Sequence, residues 1–362
     1  MRSLSDTVER LARLRATKAK APLASRLTKL ERFGSNPGAL SAWSHVPSQL
    51  PASPALVVIL HGCTQTAAGY DFGSGWSRMA DDYGFAVLVP EQVHANNSNL
   101  CFNWFNPADT GRDRGEALSI RQMIAAMVSA HDIDERRIYI TGLSAGGAMA
   151  NAMLATYPEV FAGGAIIAGL PYGVASTIPE AFDRMRGHGL PGTDVLQANL
   201  HTASGHQGPW PTISVWHGTN DNIVVQANAT AIIEQWRALH CAASQPAVSG
   251  KVDGQLRMAW RDRAGREAIE LYKIAGMGHG TPIDVASGYG MSGPFMLDAG
   301  ISSTVHIARS WGLAASFERR EAANEGSVEK TAAFRADPFS QSLDASIQSV
   351  IEKALRSAGL MR

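Results

Sequence analysis

Residues 137–150 read Arg-Ile-Tyr-Ile-Thr-Gly-Leu-Ser-Ala-Gly-Gly-Ala-Met-Ala. The run 137–141 is rich in β-branched and aromatic residues, which predicts a strand. From Ala145 onward the residues are small and compatible with a helix. Between the two halves lies Gly142-Leu143-Ser144-Ala145-Gly146. A bare G-x-S-x-G recurs by chance, but strand, tight turn and helix in that order are the context in which it carries a nucleophile. The turn crowds the backbone, so small residues must flank Ser144. The helix that follows aims its N-terminal N–H groups toward the reacting centre. The alternative is a Gly-rich turn with a passive serine.

Working outward, residues 138–158 form a charge-free stretch of 21 residues, enough by length alone to cross a bilayer. Gly142, Ser144, Gly146, Gly147, Asn151 and Thr156 interrupt it, so it reads as buried structure and no integral membrane span is expected. Similar short apolar runs recur at 55–60, 85–89, 164–168, 213–216 and 269–274. Helical segments are expected at 115–130, 145–157 and 225–239. Strands apolar at every position, separated by helices, predict a mostly parallel sheet covered on both faces, an α/β doubly wound architecture. Residues 170–211, rich in Gly, Pro and His, are less regular and form a candidate lid or cap over the carboxyl edge of the sheet. No internal repeat is visible.

Composition removes other classes. Of 362 residues 45% are apolar and 18% charged, and 32 Lys/Arg balance 32 Asp/Glu. That is a globular composition with a substantial core, not a disordered chain. Zero net charge argues against a polycation coating nucleic acid. Three cysteines, Cys63, Cys101 and Cys241, are too few for a disulfide scaffold and lack zinc-site spacing.

Ser144 needs a base to take its proton. In enzymes with this elbow the partners follow in the order Ser, then Asp or Glu, then His. His279, in Ala-Gly-Met-Gly-His-Gly-Thr-Pro (275–282), follows the last apolar run, and glycines on both sides let a loop carry it to the serine. His240 and His306 fall inside helical patterns. Asp221, in Trp-His-Gly-Thr-Asn-Asp-Asn-Ile-Val (216–224), lies just past the run 213–216, where a carboxylate can orient the imidazole and stabilise its protonated form. A turn-forming role is the alternative for Asp221. Asn220 is its nearest rival, but an amide cannot stabilise an imidazolium in the same way. Upstream, the run 55–60 leads into His61-Gly62-Cys63-Thr64-Gln65. A turn of this kind supplies the second oxyanion donor, so the hole is assigned to the backbone N–H groups of Cys63 and Ala145. They would stabilise charge on the ester oxygen. No metal or organic cofactor is needed.

Several separate blocks then recur in order: LHGCTQTAAGYD, SGWSRMADDYGFAVLVPEQ, CFNWFNPADTGRDRGEALSIRQMI, DIDERRIYITGLSAGGAMANAMLATYPEVFAG and HGTNDNIV. Over residues 50–315 they resemble the esterases of the polyhydroxybutyrate depolymerase family. The resemblance implies an α/β-hydrolase fold and cleavage of short-chain hydroxyalkanoate esters, polymer or oligomer. It places the triad on Ser144, Asp221 and His279, and an oxyanion donor on Cys63. Trp104 matches an aromatic near the substrate groove, with core packing as the alternative reading, and Gln65 joins it as a substrate-binding candidate. Cys63 and Cys101 resemble a pair able to bridge in secreted relatives. The sequence shows no export signal, which argues against a stable disulfide, so the pairing stays open. A feruloyl- or acetyl-type carboxylesterase on plant polysaccharide esters is the second reading. A granule-binding protein with weak or no catalysis is the third.

The domain boundaries follow. Residues 1–35 form a basic amphipathic helical extension, with +6 net charge over residues 1–32 and Leu4, Val8, Leu11 and Leu14 at helical spacing. Residues 36–315 form the catalytic domain. Residues 316–362 form a charged linker and a C-terminal amphipathic helix. Residues 1–32 are a candidate contact with a granule or surface, the bland alternative being a helix lying on the domain. The oligomeric state is open. Residues 1–20 have no unbroken apolar core, so the cytoplasm is the expected compartment, with export by another route left open.

Overall fold

A computed structural model describes residues 25–314. In chain order the strands are β1 (Thr28–Lys29), β2 (Ser41–His45), β3 (Leu56–Leu60), β4 (Ala86–Glu91), β5 (Ile138–Leu143), β6 (Gly163–Ile167), β7 (Thr212–Gly218), β8 (Val248–Val252), β9 (Gln255–Arg261), β10 (Glu267–Ile274), β11 (Thr281–Ile283) and β12 (Met296–Asp298). The helices are α1 (Ala67–Ser74), α2 (Trp76–Tyr83), α3 (Pro107–Thr110), α4 (Gly115–His131), α5 (Ala145–Thr156), α6 (Ile178–Met185), α7 (Thr193–Ala203), α8 (Ala227–Arg237) and α9 (Ser303–Ser310).

The main sheet has ten strands in the order β1-β2-β4-β3-β5-β6-β7-β10-β9-β8. The block from β4 to β10 is parallel. At each end antiparallel strands extend it: β1 and β2 on one side, β9 and β8 on the other. The central parallel strands are mostly apolar and buried at successive positions because their side chains enter opposite covered faces. Leu56, Val58 and Leu60 of β3 join a core with Ile120, Met123, Met149, Ile232 and Trp236, under α4, α5 and α8. Val57 and Ile59 join the other core with Tyr70, Trp76, Met79, Val305 and Ile307, under α1, α2 and α9. The architecture is that of an α/β-hydrolase, with a mostly parallel sheet and helices on both faces.

Every residue of α5 is buried, which explains the charge-free stretch 138–158 without a bilayer. Its one amide, Asn151, is satisfied inside: Nδ2 donates to Leu170 O and Gln235 Oε1, while Oδ1 accepts from Trp236 Nε1. Among the described residues no helix is long and apolar enough to cross a membrane.

The structure departs from the sequence reading at the margins. Residues 25–35 are not helical; Thr28–Lys29 pairs with Trp43 and Ser44 at the sheet edge. Strands β8 and β9 lack a continuous apolar signature because β8 is mostly exposed and β9 is only partly buried. The segment 170–211 contains two helices, α6 and α7, rather than only irregular chain. Residues 1–24 of the amphipathic helical extension expected at 1–35, and the linker and helix expected at 316–362, lie outside the described residues.

The chain passes from β3 to β4 on one side, then returns to place β5 on the other side of β3. Doubly wound sheets bind ligands at the carboxyl ends of the strands flanking such a reversal, here β3 and β5. A third apolar cluster lies there: Trp104, Ala145 and Ala148 pack with Leu170, Val174, Ala181 and Leu196 of the 170–211 segment, and with Cys63 and Cys101.

Candidate active site

Ser144 sits between β5 and α5 with φ 57° and ψ −117°. An L-residue held there costs about 1–3 kcal/mol and persists only where its surroundings over-determine it. They do: the Ser144 N–H donates to Ile167 O at 2.9 Å, and its carbonyl accepts from Ala148 N at 2.8 Å. Gly146 lets α5 approach β3, since a Cβ there would lie 2.3 Å from Leu60 O and 2.4 Å from His61 O. Gly146→Ala is therefore expected to destabilise the fold by about 3 kcal/mol or more and to lower turnover together with it. Urea midpoints and kcat for the purified variant check this; an unchanged midpoint would mean the elbow is not held against β3.

Asp221 and His279 lie 58 residues apart in sequence and meet through a 2.7 Å bond between Asp221 Oδ2 and His279 Nδ1. Gly218 permits the approach of the two loops, because a Cβ there would lie 2.2 Å from Met277 O. Asn220 N–H bonds Met277 O and Thr219 N–H bonds Ile274 O. Asp221 Oδ1 accepts the N–H groups of Ile223 and Val224, each at 2.9 Å. Burial alone would raise the Asp221 carboxyl, but the charges of His279 and His217 and these hydrogen bonds outweigh it and hold it below the usual range. The rival histidines lie elsewhere: His306 Nε2 pairs with Asp253 at 2.8 Å, and His240 is buried beside Trp236. Ser144 Oγ carries no hydrogen bond among the described residues; the nucleophile–base bond of a hydrolase commonly tightens only around substrate.

The oxyanion candidates lie at the ends of the two central strands. Around them the other donors are engaged: Gly62 N–H with Gln65 Oε1 at 2.8 Å, Thr64 N–H with Asn99 O at 2.7 Å, and Ser144 N–H as above. Among the described residues the N–H groups of Cys63 and Ala145 have no acceptor. They are among the unpaired donors of this turn and this helix N-terminus, where a developing oxyanion would find them. Cys63 and Cys101 are joined in a disulfide. The side chain of Gln65, a substrate-binding candidate, is committed to the Gly62 N–H and reaches Pro294 O. Trp104 is 9% exposed and packs edge-on to Phe105, with ring centroids 5.8 Å apart, so it forms an apolar wall beside Ala145.

Three buried groups were not singled out from the sequence. His217 is wholly buried; its Nε2 donates to Val224 O at 2.7 Å and lies 3.6 Å from Asp221 Oδ2. Burial lowers its pKa against the pull of Asp221. Its place in the strand leading to Asp221 was the available signal. Gln92 and Glu116 lie beneath the turn at 61–65, and burial lifts the Glu116 carboxyl to about 8 despite donors from Asn103 and Gln92. Nothing local in the sequence marks either. Among the described residues no three His, Cys, Asp or Glu side chains are grouped to hold a metal ion.

Fold and site together define an α/β-hydrolase, with a serine at a tight strand-to-helix turn and an Asp–His pair at the same edge of the sheet. Residues 46–255 match the family described as Esterase PHB depolymerase, and the chain belongs to that family. Over 292 residues it is 45% identical to poly(3-hydroxyalkanoate) depolymerase C of Paucimonas lemoignei, covering 79% of this chain and 70% of that one. It is 30% identical over 273 residues to feruloyl esterase B of Talaromyces funiculosus, 73% of this chain and 76% of the other. Among solved structures, the acetyl xylan esterase from Aspergillus awamori superposes with a TM-score of 0.64 at 24% identity, over 70% of this chain and 93% of that one; that likeness speaks to the fold.

Proposed function

We propose that this carboxylic ester hydrolase cleaves the ester bonds of short-chain polyhydroxyalkanoates, poly(3-hydroxybutyrate) or its oligomers, through an acyl-enzyme on Ser144. Ser144 Oγ attacks the ester carbonyl while His279 Nε2 takes its proton. Asp221 holds Nδ1–H and stabilises the imidazolium. The Cys63 and Ala145 N–H groups receive the charge on the carbonyl oxygen. The alkoxide leaves with the proton from His279. Water, deprotonated by His279, then releases the acid and restores Ser144.

The observation that carries the chemistry is the 2.7 Å Asp221–His279 bond on loops stitched together at the carboxyl edge that also carries the serine elbow. The 45% identity to a poly(3-hydroxyalkanoate) depolymerase supports the substrate class, against 30% for the feruloyl esterase. The apolar wall of Trp104 and the 170–211 segment suits an aliphatic acyl chain. A substrate panel tests the assignment: 3-hydroxybutyrate trimer, methyl ferulate and acetylated xylan. The expected result is a kcat/KM at least about tenfold higher for the trimer, a preference of about 1.4 kcal/mol in the transition state. A reversed preference, for methyl ferulate or for acetylated xylan, would replace the substrate assignment and leave the triad intact. Graded hydroxybutyrate oligomers, with products resolved by chain length, separate polymer from oligomer cleavage.

A further inference from the structure

The turn Gly293-Pro294-Phe295-Met296 holds a residue that its backbone does not favour. Met296 N–H donates to Gly293 O at 3.0 Å and Gly293 N–H donates to Met296 O at 3.3 Å, so Pro294 and Phe295 are the two corner residues. Proline suits the first corner. Phe295 has φ 61°, and a positive φ at the second corner calls for glycine or asparagine. A bulky aromatic residue is an outlier there, because its Cβ crowds the following carbonyl. The turn itself gives no reason for the ring: Gly293 and Pro294 are exposed, and a smaller residue would close it with less strain. A local misfit that the surrounding structure holds in place is a pointer to function.

The short parallel ladder of β11 and β12 holds this one. Thr281 pairs with Met296, and Thr281 N–H donates to Phe295 O at 2.8 Å. That register sets Phe295 alongside Gly280, the residue after His279. Two further bonds tie down the same segment. Met291 N–H donates to Gly73 O at 2.9 Å, and Gln65 Nε2, from the turn at 61–65, reaches Pro294 O at 3.5 Å.

The outcome is an aromatic ring against the His279 imidazole. The two ring centroids lie 6.2 Å apart and the planes stand at 82°, a T-shaped contact. Asp221 takes the Nδ1 side of His279, which leaves Nε2 for the reaction. Phe295 is only half-buried, so part of its ring is open to solvent beside the imidazole.

In ester hydrolysis Nε2 must exchange a proton with the departing alkoxide, which requires an approach to about 3 Å. The alcohol half of the ester is therefore held next to the His279 ring. The acyl half stays bonded to Ser144, on the side where Trp104 packs with Ala145. In a hydroxyalkanoate the alcohol half is the next repeat unit, an aliphatic group that an apolar ring can cover.

We propose that Phe295 is a specificity-determining residue for the alcohol half of the ester: its ring is the apolar surface on which the departing hydroxyalkanoate unit packs. The proposal rests on the Ser144–His279 reading above and adds the side from which the alcohol leaves.

The test compares the full chain with Phe295→Gly, Phe295→Asn and Phe295→Leu. Methyl butyrate and methyl 3-(butanoyloxy)butanoate share one acyl group, and the alcohol half of the second is a hydroxybutyrate unit. Both give the same butyryl-enzyme, so the ratio of their kcat/KM values, from butyrate release followed by chromatography, reads the alcohol half. p-Nitrophenyl acetate and hexanoate share one alcohol and read the acyl half. Phe295→Gly and Phe295→Asn are expected to lower the butanoyloxy-to-methyl ratio about tenfold, the scale of one lost apolar contact. Leucine keeps apolar surface and should hold that ratio within about threefold of the parent. The hexanoate-to-acetate ratio should stay within about twofold throughout. Glycine and asparagine both accept a positive φ, so their thermal midpoints should lie within about 5 °C of the parent. If glycine loosens the turn, asparagine decides the matter. An unchanged alcohol ratio in the Gly and Asn variants, an equal loss on all four esters, or a change confined to the acyl ratio overturns the proposal. Persistent turnover in Ser144→Ala overturns instead the reading on which it rests.

Discussion

Ser144→Ala should lose ester turnover by at least about 10⁴-fold while remaining as stable as the parent to within about 1 kcal/mol. The two halves of this expectation have separate causes. Ser144 Oγ has no hydrogen bond among the described residues, so its removal strands no buried partner. Alanine retains the Cβ, so it meets the same cost as serine at φ 57° and adds none. The backbone bonds that hold the elbow, Ser144 N–H to Ile167 O and Ala148 N–H to Ser144 O, do not involve the side chain. The chemistry has no substitute: without Oγ no acyl-enzyme forms, and what remains is the oxyanion donors acting on water. Single-turnover assays with p-nitrophenyl butyrate, alongside thermal midpoints, check both halves. Turnover within about tenfold of the parent would remove Ser144 from the mechanism.

Asp221→Asn should lower kcat by about 10³- to 10⁴-fold, a larger effect than the change of one atom suggests. The surroundings dictate which way the amide faces. Oδ1 of Asp221 accepts two N–H groups, from Ile223 and Val224, at 2.9 Å each. In the variant the amide oxygen must keep that place, so the NH₂ takes the position of Oδ2, 2.7 Å from His279 Nδ1. A donor there requires Nδ1 to accept, which moves the imidazole proton to Nε2 and leaves His279 unable to take the proton of Ser144. Asp221→Ala would lack this tautomer trap but would leave the Ile223 and Val224 N–H groups without their acceptor, costing about 1–3 kcal/mol of stability. Nitrogen-15 spectra of His279 and paired kcat and urea measurements distinguish the two variants. An Asp221→Asn enzyme within about tenfold of the parent would mean that another group orients His279.

The elements that were legible share a property: their evidence is local. The strand, Gly-flanked serine and small-residue helix of 137–150 are one continuous stretch, and the apolar runs 55–60 and 213–216 announce burial on both faces at every residue. The ends of the sheet were not legible. Strand β8 is mostly exposed and β9 only partly buried, so Lys251, Arg257 and Arg261 appear in them and the three apolar residues Met258, Ala259 and Trp260 are too short a run to read. Thr28–Lys29 is a two-residue exposed pairing that no periodicity can signal. Residues 170–211 hid two helices because only one buried residue of α6, Ala181, and two of α7, Leu196 and Leu200, face the interior.

The fold class was readable from the sequence by itself, because it rests on which residues tolerate full burial, and so was the Gly-flanked turn that carries Ser144, because it rests on short-range backbone geometry. The tertiary structure supplied the 2.7 Å contact between Asp221 and His279, two residues the sequence had only singled out separately, and it alone decided that Cys63 is joined to Cys101, that Gln65 braces the turn at 61–65, and that Glu116 and Gln92 support that turn from beneath. Each of these is a pairing between groups far apart in the chain. A buried polar group must find its partner among whatever the fold brings within about 3 Å, and that neighbourhood does not exist until the sheet has assembled.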